Sequence, residues 1–427
     1  MSLCEGQQIE LSIEKPAAGG RMIARHLGQV VLVRGAIPGE RVRAWVDRAE
    51  KRLAYAVTRE VLEPSPDRRP VDGDPSCGGA LYAHIRYQRQ LAIKSDVIRD
   101  AFARVGRHPI DEPISVSASP EEGYRMRARF HVRGPRAGFY REGTHQLCDA
   151  APTRQVRVES IAAVQALAST LDREAPSAVS SIAIAENIPG DERAVHLELT
   201  GREGLTAAVL ERAAITAGVR GISARDAATG GTLAAGSPFV SERLSMLAPG
   251  AGGGVIQRHA ESFFQGNRFL LADLVSAVVG AAPDAGEILD LYAGVGLFGV
   301  ALASMGRLEV TAVEGDRASG ADLRENARAH APRLRPQVGS VEEFLSARRS
   351  RPAAVIVDPP RAGLSKAALE AIVRLAPARM IYVSCDPPTL ARDARRLFDS
   401  GYRMDSLHAF DFFPNTPHVE SLAVFTA

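Results

Sequence analysis

Three observations predict an α/β protein whose C-terminal part is a doubly wound parallel sheet. Short buried strands alternate with helical stretches from Glu287 onward, and a Gly-x-Gly turn follows the first of these strands. The first sixty residues instead run as short strands separated by glycine and proline turns. A chain of 427 residues is long for one domain. Three units are therefore expected: a small OB-like β-barrel over 1–63, a mostly β central domain over 64–254, and the α/β domain over 255–427.

Composition bounds the rest. Hydrophobic residues at 45% and charged residues at 24% describe a globular chain with ample core. The net charge of +2 is nearly neutral, yet basic residues bunch at Arg41–Arg52 and Tyr124–Arg141, which leaves room for a local anionic partner. The four cysteines, Cys4, Cys77, Cys148 and Cys385, are widely separated, which argues against a disulfide framework and for a reducing cytosol. Neither a signal region nor a stretch of membrane-spanning length is visible. A cytoplasmic protein is expected, with monomer as the default state.

In the first unit, Gln8–Ile13, Arg21–His26, Gln29–Val33, Glu40–Val46 and Leu53–Leu62 read as five strands. Arg41, Arg43, Arg48, Lys51 and Arg52 stand among Trp45 and Tyr55, a mixture suited to single-stranded nucleic acid, since cations neutralise phosphates and rings stack on bases. A solvated basic edge strand explains the stretch nearly as well. Pro64-Ser65-Pro66-Asp67 reads as a stiff linker.

In the middle, Cys77 has no second cysteine at ligand spacing, so a metal site is rejected. The stretch 87–105 reads as an amphipathic helix, with Leu91, Val97, Ile98, Ala101 and Phe102 on one side and Lys94, Asp96 and Arg99 elsewhere. It is a candidate to pack on the last domain. Tyr124–Arg129 reads as a strand with one cationic face, and Gly138–Gly143 as the far arm of a hairpin. Val179–Ile184, His196–Leu199 and Thr206–Leu210 continue a β region up to the Gly/Ala-rich stretch Ala248–Gly254.

The last unit carries the chemistry. Glu287–Leu291 is a buried strand, followed by the Tyr292–Gly296 turn containing Gly294 and Gly296, then a helix over Leu297–Met305. Such a corner presents backbone N–H groups to a nucleotide. The next strand, Val310–Val313, ends in Glu314, where an acid can accept hydrogen bonds from both ribose hydroxyls. The turn lacks the third glycine of a dinucleotide fingerprint, so the pair favours S-adenosylmethionine over a nicotinamide cofactor. The strand Ala353–Val357 delivers Asp358-Pro359-Pro360-Arg361 to the crevice side of the sheet. Met380–Val383 then places Cys385 at a strand mouth before Pro387-Pro388, where a thiol is exposed enough to react. A small buried thiol is the ordinary alternative. Phe412–Glu420 brings a carboxylate close to a histidine ahead of a closing strand, Ser421–Phe425; an ordinary polar loop explains it equally well.

Together these residues resemble the RNA uracil-5 methyltransferase family. The resemblance rests on Ser262-Phe263-Phe264-Gln265-Gly266-Asn267, Asp290–Gly296, Val313-Glu314, Asp358–Gly363, Ser384-Cys385 through Asp393, and His418-Val419-Glu420, in that order. More weakly, the N-terminal barrel is similar to the family's TRAM domain. The resemblance implies a Rossmann-like class I methyltransferase domain, S-adenosylmethionine as methyl donor and RNA as partner, with rRNA favoured over tRNA. It makes Cys385 the nucleophile and Glu420 the base, with Gln265, Tyr292, Gly294, Gly296, Glu314 and Asp358 at cofactor positions. Many relatives carry an iron–sulfur cluster needing four cysteines. Here Cys77 alone falls in that motif, Ala80 stands at the next ligand position, and Cys148 lies slightly too early, so no cluster and no metal are expected. The implied chemistry is addition of Cys385 to carbon 6 of a flipped-out uracil, methylation at carbon 5 and proton removal by Glu420. The alternatives are a tRNA substrate, cytosine-5 methylation, or an RNA-binding factor without activity.

Overall fold

The computed structural model describes residues 3–307 and 309–427. The first expected unit begins at Met1, so Met1 and Ser2 lie outside the described residues. β1 (Gln8–Pro16), β2 (Met22–His26), β3 (Gln29–Arg34), β4 (Arg41–Ala49) and β5 (Leu53–Glu63) close a barrel in the order β1-β2-β3-β5-β4. The period-2 pattern explains the closure. Ile9, Leu11 and Ile13 of β1 point inward between exposed or partly exposed neighbours. The barrel interior is sealed by Tyr82, Ile85 and Ile93 from the segment that follows.

α1 (Tyr87–Ala101) joins the barrel to the rest of the molecule. Ile93 packs into the barrel core, whereas Ile98, Ala101 and Phe102 pack beneath the C-terminal sheet with Leu390 and Ala391. Lys94 departs from its expected place away from the apolar side: it is 1% exposed. β6 (Val116–Ser117) then pairs with the C-terminal sheet.

The central unit is a seven-stranded sheet in the order β13-β12-β11-β10-β7-β8-β9. Its elements are β7 (Arg127–Arg133), β8 (Arg136–Tyr140), β9 (Leu147–Cys148), α2 (Val158–Glu174), β10 (Val179–Glu186), β11 (Arg193–Leu199), α3 (Ala207–Ala217), β12 (Gly221–Asp226) and β13 (Thr232–Gly236). Two sequence expectations fail here. Thr206–Leu210 is no strand: the Thr206 hydroxyl accepts the Val209 N–H and caps α3. Second, Cys77 and Cys148 form a disulfide, 2.18 Å between sulfurs, against the expectation of four separate cysteines with no disulfide framework. A separation of 71 positions concealed the pairing, which the β8–β9 contact and the Cys77–Arg141 bridge bring about.

A two-stranded ribbon, β14 (Phe239–Arg243) and β15 (Val255–His259), flanks the short α4 (Leu244–Leu247) and leads to α5 (Leu271–Ala281). Here a buried ionic network rivets the central unit to the C-terminal one. Arg258, fully buried, donates to Glu242 at 2.8 Å and to the Glu186 carbonyl at 2.7 Å, and its guanidinium lies 4.0 Å from the Phe264 ring centroid. The Glu186 carboxylate in turn receives Arg193 and Arg268.

The C-terminal sheet contains β16 (Ile288–Leu291), β17 (Val310–Glu314), β18 (Leu334–Val338), β19 (Ala354–Val357), β20 (Arg379–Ser384), β21 (Arg403–Phe410) and β22 (Glu420–Thr426). Helices α6 (Leu297–Ser304), α7 (Arg317–Arg328), α8 (Val341–Ala347), α9 (Lys366–Leu375) and α10 (Pro387–Asp399) intervene. The order is β18-β17-β16-β19-β20-β22-β21-β6. Strands β16 to β20 run parallel, while β22 lies antiparallel between β20 and β21. This is the expected Rossmann-like architecture. Its central strands β16 and β19 are fully buried and, Asp290 apart, apolar, as a sheet covered on both faces requires, while β18 at the edge is partly exposed.

Candidate active site

Strand register brings the site together. Ser384 is the Cα partner of Ser421 in the antiparallel β20–β22 pair, so the next residues outward, Cys385 and Glu420, face one another across it. Val357 pairs with Tyr382 and with Leu291, which sets Asp358 at the same edge, beside Tyr292. Leu291 pairs with Val313, adding Glu314 on the far side. Five adjacent strands thus present their chemistry at one rim, the end where doubly wound sheets bind ligands.

The Gly-x-Gly corner is built as its spacing predicts. Tyr292 and Gly294 have φ of 59° and 57°, and the Gly294 N–H donates to Glu314 Oε2 at 2.7 Å. Gly296 opens α6 with φ 92°, where a Cβ would meet Leu323 at 2.8 Å, so a side chain is excluded by strain and by space. The Tyr292 phenol faces Glu342 on α8. Gln265 donates to Asp358 at 3.0 Å, which joins the Phe263-Phe264-Gln265 segment to the same rim.

The rim is acidic and buried. Burial, with Asp358 and Glu314 adding to it, pushes the Asp290 carboxyl up to about 7. Burial also lifts Asp358 to about 7, against the lowering hydrogen bond from Gln265. Glu420 is 2% exposed; burial first and then Asp358 hold it well above the carboxylate range. Asp290 Oδ1 and Glu420 Oε1 are buried without hydrogen-bond partners. The Cys385 thiol, half-buried, is pushed up to about 12 by burial and then by Glu420. Arg361, from the Asp-Pro-Pro-Arg turn, is the cation that opposes this shift at both Cys385 and Glu420. His418 rests neutral, drawn down to about 4 by burial and by Arg361.

All eight residues singled out in the sequence lie along this rim or the turns that frame it. Two participants had no role assigned beforehand. Arg361 stands inside the Asp-Pro-Pro-Arg turn, and its charge was the available signal. Asp290 opens a stretch already noted, on a strand read as buried, where a carboxyl is the signal. On the barrel, Tyr55 lies between the Arg48 and Arg21 guanidiniums, 4.1 and 5.3 Å from the ring centroid, and Arg59 lies over the exposed Trp45. The basic face is less open than its composition implies, for Arg41 and Arg43 pair with Glu10, Glu60 and Glu63.

The Rossmann-like sheet with its acidic rim, behind a five-stranded barrel, defines the class: a methyltransferase fold carrying an N-terminal OB-like module. Residues 345–426 match the model of the tRNA (Uracil-5-)-methyltransferase family, and residues 2–57 match the TRAM domain. A 23S rRNA (uracil(1939)-C(5))-methyltransferase of Halomonas elongata is 32% identical over 98% of this chain and 89% of its own. One of the same description from Alkalilimnicola ehrlichii is 33% identical over 98% and 96%. The crystal structure of Pyrococcus abyssi tRNA (uracil-54, C5)-methyltransferase, in complex with S-adenosyl-L-homocysteine, superposes with a TM-score of 0.75 at 24% identity, covering 97% of this chain and 99% of that one. The chain belongs to the RNA (uracil-5-)-methyltransferase family, whose members depend on S-adenosylmethionine.

Proposed function

We propose that the protein transfers a methyl group from S-adenosylmethionine to carbon 5 of a specific uridine in 23S rRNA, through a covalent bond between Cys385 and the base. The observation that carries this reading is the pairing of a thiol with a buried carboxyl across β20–β22, one strand from the Asp358 loop and two from the glycine corner. The rRNA assignment is supported by the 32% and 33% identical relatives described as acting on 23S rRNA. A cytoplasmic location and a monomeric state accompany it as part of the proposal, as do an RNA-holding barrel (1–63) and central unit (64–254) around a catalytic unit (255–427).

The residues present fit a cationic methyl donor. Asp290 and Asp358 are carboxyls raised by their surroundings, and a buried Asp290 oxygen is left without a partner. Gln265, Tyr292, Gly294, Gly296, Glu314 and Asp358 would hold the donor, which supplies an electrophilic methyl group beside Cys385. The protein's own part is nucleophilic and basic. Cys385 gives up its thiol proton to solvent and its sulfur bonds to carbon 6, and the ring electrons displaced toward carbon 5 make that carbon the site of methylation. Glu420 then takes the carbon 5 proton; the electron pair so released re-forms the 5,6 double bond and expels the Cys385 thiolate. A carboxyl whose affinity for protons is raised is a better base for such a carbon acid than an exposed glutamate. Both groups reach only a base turned out of its stack.

Cys385→Ala is expected to bind the donor yet form no RNA adduct and transfer no methyl; unimpaired transfer sinks the nucleophile. Glu420→Gln is expected to accumulate a methylated RNA–protein adduct on a denaturing gel. Mass-spectrometric mapping of 5-methyluridine in rRNA and tRNA from cells lacking the gene decides the substrate, and a loss confined to tRNA overturns the rRNA assignment.

A further inference from the structure

Glu420 Oε1 is buried without a partner, so no hydrogen bond to that oxygen aims the carboxyl. Its direction is therefore set by the backbone entering β22. Phe410, the last residue of β21, pairs with Glu420, and Asp411 to Val419 make the excursion between them. Buried side chains remote in sequence grip that excursion. Lys94 of α1 donates to Asp411 Oδ1 at 2.5 Å and to the Phe413 carbonyl at 3.1 Å. One helical turn earlier, Gln90 donates to Asn415 Oδ1 at 2.9 Å and accepts the Asn415 N–H at 2.9 Å. Asn415 is left-handed, φ 65°, a conformation that needs such support. Asn267 donates to the Phe412 carbonyl at 3.1 Å, and Tyr124 to the Pro414 carbonyl at 3.1 Å.

Lys94 and Asp411 are 1% and 0% exposed. Burial pulls the Lys94 ammonium down, and Asp411 opposes it. An apolar pair of this volume would stabilise the fold as well or better, so stability alone gives no reason for charge here. What the ammonium adds is direction: one group fixes two points of the excursion at once.

We infer that Gln90 and Lys94 of α1 are positioning residues for the proton-removing step, holding Asp411–Asn415 so that Glu420 enters β22 aimed at Cys385; the inference rests on Glu420 being the base. It assigns to a helix outside the C-terminal domain a role in one half of the reaction. Methyl transfer, which needs Cys385 and the donor, should survive loss of the grip, whereas adduct release should not.

The test is a single-turnover reaction with labelled methyl donor and a uridine-containing rRNA fragment, scoring methyl transfer and adduct release separately. Lys94→Met alone strands the Asp411 charge, so the double variant Lys94→Met/Asp411→Asn is the informative one, with melting and donor binding as folding controls. The double variant is expected to transfer methyl at nearly the native rate and release the adduct about 100-fold more slowly, the penalty of roughly an ångström of misplacement. Gln90→Met, which involves no charge, is expected to slow release in the same sense. Native release by both variants overturns the inference, as does an equal fall in transfer and release, which marks a structural role. If Glu420→Gln itself releases adduct normally, the base assignment falls and takes this inference with it; if Glu420→Gln traps adduct and these variants do not, the inference alone is wrong.

Discussion

Replacing Asp290 with Asn probes the acidic rim directly. Asp290 is fully buried on β16, accepts the Gly299 N–H at 2.8 Å through Oδ2, and has Oδ1 without a partner. Its carboxyl rises from 3.8 to about 7, chiefly through burial. Below pH 3.8 folded and unfolded chains both hold this proton, and it contributes no slope. Between 3.8 and about 7 the unfolded chain has released the proton while the folded chain keeps it, so stability falls as pH rises. Above about 7 both forms are ionised and the slope vanishes. At about 1.4 kcal/mol per pH unit the loss sums to about 4 kcal/mol. Asn cannot ionise and can keep the Gly299 bond. Urea unfolding of both proteins from pH 4 to 8.5 should therefore show the difference moving in favour of Asp290→Asn by about 4 kcal/mol up to neutrality, then levelling. A difference that stays constant across that range refutes the reasoning.

Other perturbations have equally definite outcomes. Cys148→Ser opens a disulfide closing 71 residues and should cost up to about 4 kcal/mol in urea unfolding, an effect that dithiothreitol reproduces in the native protein and not in the variant. Glu242→Gln leaves Arg258 without its charge partner in a fully buried site and should destabilise by about 3–5 kcal/mol; a change in melting below 1 °C would contradict that. With its thiol pushed up to about 12, Cys385 should react with iodoacetamide about tenfold faster per pH unit between pH 7 and 10, and Arg361→Gln should slow the reaction at every pH. A plateau near pH 8 would show an already ionised thiol.

What could be read beforehand divides along locality. The glycine corner, the strand ending in Glu314, the Asp358 turn and the Cys385 turn are local signals, each a strand followed by residues unable to continue it, and they stand where expected. The barrel strands were legible because Ile9, Leu11 and Ile13 alternate strictly. α2 was not anticipated in a region read as mostly β, and Thr206–Leu210 was misread because an apolar run this short carries no decisive period; a capping threonine, not the run, determined the outcome. The disulfide and the Lys94–Asp411 pair are meetings of residues 71 and 317 positions apart, and nothing at either end announces the other.

The strand order has a consequence for how the nascent chain matures. β6 lies nearly three hundred residues before β21, the strand it must join, and β22, further along still, inserts between β20 and β21. Ile98, Phe102 and Ile114 thus keep apolar surface uncovered until that later stretch has been made. Cys385 and Glu420 cannot come together before β22 is in place, since the strand that carries Glu420 is also the keystone that closes the sheet.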